Sequence, residues 1–416
     1  MSTIEKHDMT QGKILLPLVS FTIPLVLGNL FQLTYNAADS VIVGKYVGEQ
    51  ALAAVGTSTP IMNIAILLIS GMCMGASVLM SSQYGAKDYD TLSRQISTTM
   101  LAGCGFSVVF SLLMLLLANP VLRLIRVPET AIPEAAAYLR IIFMGLIFTF
   151  MYNFLANTMR ALGDSKTPLY FLVTSAFLNI FGDLFFVVVL RWGVAGSAIA
   201  TVCSEGLCCL LCGIYIKKKI PLLCLGKKWW VFDKSLLGKT VSYGSTSAMQ
   251  QVCLQLGKLI IQSVVNTQGV AVMAAFTAVN RVDDFAYTPQ QNIGHAMTTF
   301  LAQNKGAGHK ERMKKGFQTG LLIELVYSIG LFCVIWGLAP QIMTLFAEDG
   351  DAQVVSLGIS YLHLISWMYI LPGLTNGVQG FFRGIGDLKV TLYSTFMNMF
   401  GRVVAVFVMI RLLQME

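Results

Sequence analysis

Three apolar stretches of this 416-residue chain carry polar side chains at the spacing of one helix face. In the first, Asn29, Gln32, Asn36 and Asp39 step by three, four and three residues, which lines one face with four polar groups. In a second, Ser175, Asn179 and Asp183 step by four, and in a third Ser197, Thr201 and Glu205 do the same. Carboxylate, amide and hydroxyl oxygens together are what a small hard cation demands. A proton can neutralise the same carboxylates instead. The candidate residues for cation or proton handling are therefore Asp39, Asn179, Asp183, Thr201 and Ser197, with Na+ as an ion that Asp39, Asn179, Asp183 and Thr201 could hold. Ser175 reads as a helix-packing residue.

The elements that must position these groups are membrane helices. Hydrophobic residues make up 55% of the chain and charged residues only 12%, with a mean hydropathy of +0.69. A soluble domain carries about 25% charged residues. The apolar runs repeatedly exceed the roughly 20 residues that cross a bilayer as helix. Eleven spans are expected, near 14–43, 51–82, 95–118, 136–159, 168–190, 193–216, 236–265, 270–302, 316–346, 354–381 and 391–413. The N-terminal "MSTIEKHDMTQGK" lacks the short apolar core of a removable signal peptide. An all-α polytopic membrane protein follows. A charge at mid-span costs about 2.5–3.5 kcal/mol, so Asp39 and Asp183 call for a function or a partner.

The net charge of +8 is a topology signal rather than a nucleic-acid footprint. With the N-terminus inside, 20 of the 29 basic residues fall in cytoplasmic segments, among them "KKK" 217–219, while the acidic "EDGD" 348–351 falls outside. The "CCLLC" at 208–212 contains a CxxC, but it lies within a span and has no further ligands, so packing is its reading. No HExxH, GxSxG, P-loop or paired His/Cys constellation marks an enzyme or a resident cofactor.

The chain also repeats itself. "RALGDSK" at 160–166 returns as "RGIGDLK" at 383–389, and residues 138–170 match 361–393 at the same offset of 223, with eleven of 33 pairs identical. "NIFG" at 179–182 matches "NMFG" at 398–401. The expected organisation is an N-terminal lobe over 1–216 (six spans), a basic cytoplasmic linker over 217–239, and a C-terminal lobe over 240–416 (five spans). Two pseudo-symmetric lobes of this kind build transporters that rock around a midplane site. The RxxGDxK phrase reads as a cytoplasmic turn in which Gly makes the bend and Arg and Lys anchor the inner surface, or as a latch between lobes.

With "IPLVLGNLFQLTYNAADSVIVGKYVGEQALAAVG" in the first span and the loop after it, the twin RxxGDxK turns and "AGSAIAT" in the sixth span, the sequence resembles the multidrug and toxic compound extrusion (MATE) transporters, nearest their DinF-like and Firmicute-type branch. The resemblance runs over essentially the whole chain. It implies a multi-pass protein of the bacterial inner membrane, cytoplasmic at its N-terminus and monomeric, exporting small organic, often cationic, compounds in exchange for Na+ or H+. It also implies that Asp39, the NxxxD pair of Asn179 and Asp183, and Thr201 form the family's first-lobe cation site. The family has twelve helices and this chain shows eleven, so a continuation of about 25–35 residues, one crossing and its loop, is expected beyond Glu416.

The second half differs where charge matters. Asp39 corresponds to Ile260, Ile261 or Gln262, and Asp183 corresponds to Arg402. Lys258, Arg281, Asp283, Asp284 and Arg402 read as a paired structural network, with Lys258 and Arg402 held by Asp283 or Asp284. Glu324, Lys305 and His295 stand too isolated in the sequence to carry a reading. A substrate cavity between the lobes has Asn29, Gln32, Asn36, Asn153, Asn376 and Gln255 as candidate lining, and the 21 Met and 25 Phe suit an adaptable surface. The alternative is a flippase for a lipid-linked or amphiphilic substrate, which would want Arg and Lys where this first lobe is acidic and amide-rich. Membrane lipid and a small organic molecule are the expected partners.

Overall fold

The computed structural model describes residues 8–125, 127–220, 230–346 and 352–408. It is helical throughout: α1 (Leu15–Tyr46), α2 (Glu49–Gly85), α3 (Tyr89–Leu124), α4 (Ile132–Met144), α5 (Leu146–Ala161), α6 (Lys166–Asp183), α7 (Gly193–Lys219), α8 (Lys234–Val265), α9 (Val270–Gly306), α10 (Lys310–Phe346), α11 (Ala352–Ser366), α12 (Ile370–Gly384) and α13 (Leu388–Phe407). A π-helical turn, Leu184–Val189, extends α6, and a 3-10 turn, Trp367–Tyr369, joins α11 to α12. Helices α4 and α5 meet at Gly145 with a 46° bend and make one broken rod.

Among the described residues, eleven rods therefore stand where the sequence places eleven spans. Among the described residues, eight are long and apolar enough to cross a bilayer, and nine with the bent α4–α5 pair. The other two, α8 and α9, fall short because they carry Lys258, Arg281, Asp283, Asp284 and several amides and hydroxyls. Lys6, Arg126, Lys227, Lys228, "EDGD" 348–351 and Arg411 lie outside the described residues.

The duplication is visible in backbone geometry. Gly48 before α2 and Gly269 before α9 sit at φ 114° and 100°, and Gly163 and Gly386 of the two RxxGDxK turns at φ 91° and 85°. Positive φ is cheap only for glycine, so these residues fix where each helix pair turns. The turns differ in their charges. Asp164 Oδ1 accepts from the backbone N–H of Lys166 and Thr167, at 3.1 and 3.0 Å, and caps α6. Asp387 makes no such cap. Arg383 corrects the reading of the motif as a surface anchor: its side chain is buried, with its guanidinium 3.3 Å from Gln379 Oε1 and 3.4 Å from His295 Nδ1. Lys166 and Lys389 are exposed.

The chain forms two compact units, Met1–Asp8 with Leu27–Ala248, and Met9–Val26 with Met249–Glu416. These differ from the sequence halves at two matching places. The first part of α1 belongs to the second unit, and the first part of α8 to the first. Within the first unit a core of Ile69, Met80, Leu92, Leu122, Leu139, Phe143, Phe150 and Phe154 fills the space between α2, α3, α4 and α5. Within the second unit Leu18 and Phe21 of α1 pack with Met297 and Phe300 of α9. Arg312 pins the segment ahead of α1, donating to the carbonyls of Gly12 at 2.6 Å and Gln11 at 2.8 Å.

Candidate functional site

The three polar stripes of the sequence converge inside the first unit. Helices α1, α6 and α7 bring Asp39, Asn179 and Thr201 to one chamber of about 150 Å³, which α2, α4 and α5 close with Asn63, Tyr138, Phe143 and Thr149. Ser197 sits one turn from Thr201 on α7 and donates to Asp39 Oδ1 at 2.7 Å. Asn179 Nδ2 donates to Thr201 Oγ1 at 3.2 Å. Asp183 is the acidic neighbour of Asp39.

What these groups leave unsatisfied defines the chemistry. Asp183 is fully buried and neither of its carboxylate oxygens receives a hydrogen bond, and Asn179 Oδ1 is likewise without a donor. Buried polar groups without partners are costly, so bare oxygens gathered one turn apart on α6 fit a positively charged occupant. An amide oxygen, a hydroxyl and two adjacent carboxylates are the donor set a hard monovalent cation takes, and a proton shared by the two carboxyls meets the same need. Among the described residues no Lys, Arg or His lines the chamber. Among the described residues no three His, Cys, Asp or Glu side chains converge on one point, so the chamber offers a pair of acids rather than a divalent-metal cage.

Other candidates fall elsewhere. Gln32 and Asn36 line the chamber, and Asn29 does not. Asn153 turns its amide back onto its own helix, donating to the Thr149 carbonyl at 2.9 Å. Its repeat partner Asn376 is buried in the second unit and accepts from the Tyr287 hydroxyl at 3.4 Å. Gln255 is exposed. Of the expected charge network, Lys258 and Asp284 pair at 3.2 Å. Asp283 instead accepts from the Tyr369 hydroxyl and lies in the field of Arg402, while Arg281 pairs with no carboxylate among the described residues. Cys208 and Cys212 are buried free thiols, as a packing role requires.

The candidate set omits part of the chamber. Glu205 is the second carboxylate on its wall, held by a hydroxyl hydrogen bond from Thr149. Its i+4 spacing from Thr201 was a usable signal. Tyr35 and Tyr138, with rings on the chamber wall, stand within apolar runs and gave none.

Residues 24–185 and 247–408 each match the family model MatE. The two segments are offset by 223 residues at both ends, the offset of the internal repeat. The probable multidrug resistance protein YpnP of Bacillus subtilis is 32% identical over 392 residues, covering 94% of this chain and 86% of that relative. A crystal structure of MATE in the bent conformation superposes with a TM-score of 0.92 at 22% identity, over 99% of this chain and 91% of that one. A MOP superfamily transporter from Pyrococcus furiosus superposes with a TM-score of 0.90 at 23% identity, over 98% and 91%.

Proposed function

The chain belongs to the MatE family of multi-pass membrane transporters, and from that premise we propose that it is an antiporter exporting organic, often cationic, compounds in exchange for Na+ or H+. The observation that carries the ion-coupled part is the bare, fully buried Asp183 carboxylate beside Asp39, whose chamber has no basic residue among the described ones. The export part follows the names of the relatives, of which YpnP is a probable multidrug resistance protein.

In this reading an ion arriving from outside the cell neutralises Asp39 and Asp183. Their altered bonding shifts the second part of α1 against α6 and α7. Pro24 interrupts the backbone ladder of α1, because it has no N–H to donate. The helix passes from one compact unit to the other between Val26 and Leu27, so Pro24 and Gly28 are where a bend would form. That bend would shrink the substrate space and release cargo outward. An inward charge crossing 100 mV contributes about 2.3 kcal/mol to the cycle. The substrate is a small organic molecule, the lobes act in a single chain, and the N-terminus is cytoplasmic in the inner membrane of a bacterium.

Export of ethidium from proteoliposomes, with Na+ and pH gradients imposed separately, tests the proposal. One gradient is expected to drive export and the other to have little effect. Export that neither gradient accelerates would sink the antiport reading.

A further inference from the structure

The second unit holds a buried acid of its own, Glu324 on α10. Its side chain is fully buried, and neither carboxylate oxygen has a hydrogen-bond partner. Around it stand Gln290 of α9 and Ser328 one turn on in α10, both fully buried. Gln290 Nε2 donates to Ser328 Oγ at 3.0 Å and to the carbonyl of Tyr369 at 2.8 Å. Tyr369 closes the 3-10 turn that interrupts the α11–α12 rod, and such interruptions put backbone carbonyls where side chains can use them.

The repeat shows that this acid has a built place. Helices α2 and α3 begin at Glu49 and Tyr89, α9 and α10 at Val270 and Lys310, so these pairs correspond at an offset of 221. Ile69 then stands for Gln290, Gly103 for Glu324 and Ser107 for Ser328. Across α5 and α12 the offset of 223 places Phe150 opposite Gly373. In the first unit a side chain at Gly103 would run into the ring of Phe150. In the second unit a Cβ on Gly373 would lie 2.7 Å from Ser328 Oγ, 3.1 Å from Gln290 Nε2 and 3.3 Å from Glu324 Oε2. Large and small have exchanged places. Where the first unit fills this position with an aromatic ring, the second unit empties the α12 side and fills it with a carboxyl group.

We propose that Glu324 is a proton-carrying site of the second unit, distinct from the chamber of the first. A buried carboxylate without a partner must be neutralised. Gln290 Nε2 already donates both of its N–H groups, to Ser328 Oγ and the Tyr369 carbonyl, so this amide leaves no donor to hold an ionised Glu324, and a proton is the occupant the geometry favours. Binding forms one O–H bond on the Glu324 carboxyl and breaks none in the protein. Tyr327 on the same helix is the titratable neighbour, and its hydroxyl is engaged with the Ala286 carbonyl. Asp283, Asp284 and His295 of α9, Tyr361 and His363 of α11 and Arg383 of α12 are among the other titratable or charged groups on the packed helices, and none on any helix bonds to the Glu324 oxygens among the described residues. Tyr369 links the site outward, since its carbonyl faces Gln290 and its hydroxyl holds Asp283. Gain or loss of the proton is thereby felt at the α11–α12 break.

The proposal goes beyond the coupling reading of the first unit and its test requires no transport. Infrared spectra of the purified full chain at neutral pH, without Na+, should show one protonated carboxylic C=O band in wild type that Glu324→Gln lacks. Adding Na+ should leave that band in place. Loss of carboxylate bands instead, or a band that Na+ abolishes, overturns the proposal. If Glu324→Gln fails to fold, Glu324→Asp serves, and an unshifted band there overturns it equally. In the transport assay, Glu324→Gln should change the pH profile of ethidium export while leaving export detectable, unlike loss of Asp39.

Discussion

The two units share helix order and turn geometry but place their buried acids differently. In the first, Asp39 and Glu205 reach one chamber from α1 and α7, with Asp183 of α6 buried beside Asp39, and Phe150 with Gly103 seals the α3–α5 contact. In the second, the matching positions on α8 and α13 carry neutral residues and Arg402, and the acid appears at the α10–α12 contact as Glu324. Duplication has kept the frame and moved the charge. A frame of packed helices tolerates this because each exchange conserves volume locally, a ring against a glycine in one unit and a carboxyl against a glycine in the other.

The sharpest way to break the comparison is to remove the charge of the first unit alone. Asp39→Asn takes a charge out of the bilayer and preserves shape, so the protein should insert and fold as wild type does. Ion-driven ethidium export should fall on the order of a hundredfold, the upper range for loss of one coupling interaction. If the folded Asp39→Asn protein exported at wild-type rate with the same ion dependence, the first unit would not be the coupling unit.

Next in size is the seal. Phe150 is 1% exposed and stacks on Phe154, with ring centroids 5.8 Å apart. Phe150→Ala should cost about 3 kcal/mol, the lower end for such truncations, because lipid supplies no water-transfer term and only packing is lost. Thermal unfolding in detergent measures it, and a neutral result would mean that the ring is not what fills this contact.

Glycine substitutions then compare the two contacts directly. Gly103→Ala drives a methyl group into the Phe150 ring, which is fixed by the core, and should cost about 1–3 kcal/mol. Gly373→Ala meets the ends of three side chains, Ser328 Oγ, Gln290 Nε2 and Glu324 Oε2, which shift more readily than a ring fixed by the core, and should cost less. Equal costs would show that the second contact is as rigid as the first.

Much of this was legible in the sequence for reasons of periodicity. Spans follow from apolar runs, lobes from the repeated RxxGDxK, and the acidic chamber from polar stripes at helical spacing that each carry one carboxylate. Legibility fails where a contact is long-range and single. Thr149 is one hydroxyl in an apolar run, and its partner Glu205 lies 56 residues away. Glu324 looked isolated because Gln290 and Gly373 come from other helices, although Ser328 four residues on was a local sign. The exchange with Phe150 emerges only when the helix starts set the offset. Arg383 was misread for a related reason: a charge at the end of a span looks like an anchor until the packing of α12 shows it buried.

The smallest expected effect tests how finely the first chamber is set. Ser197 is fully buried and its hydroxyl gives Asp39 Oδ1 a hydrogen bond of 2.7 Å across from α7 to α1. That bond holds one oxygen of the carboxylate and leaves the other for the coupling ion. A hydrogen bond to a charged group contributes about 1.5–3 kcal/mol, and the small site left by Ser197→Ala lets Asp39 relax, so the lower figure applies. Ser197→Ala should therefore raise the half-saturating concentration of the coupling ion roughly tenfold while the maximal export rate stays near wild type. The second unit offers no equivalent hydroxyl-to-acid bond at its Glu324 oxygens, so Ser328→Ala should leave that half-saturation unchanged. A Ser197→Ala protein with wild-type ion dependence would mean that Asp39 is positioned by its neighbour Asp183 alone, and the chamber would reduce to a pair of acids.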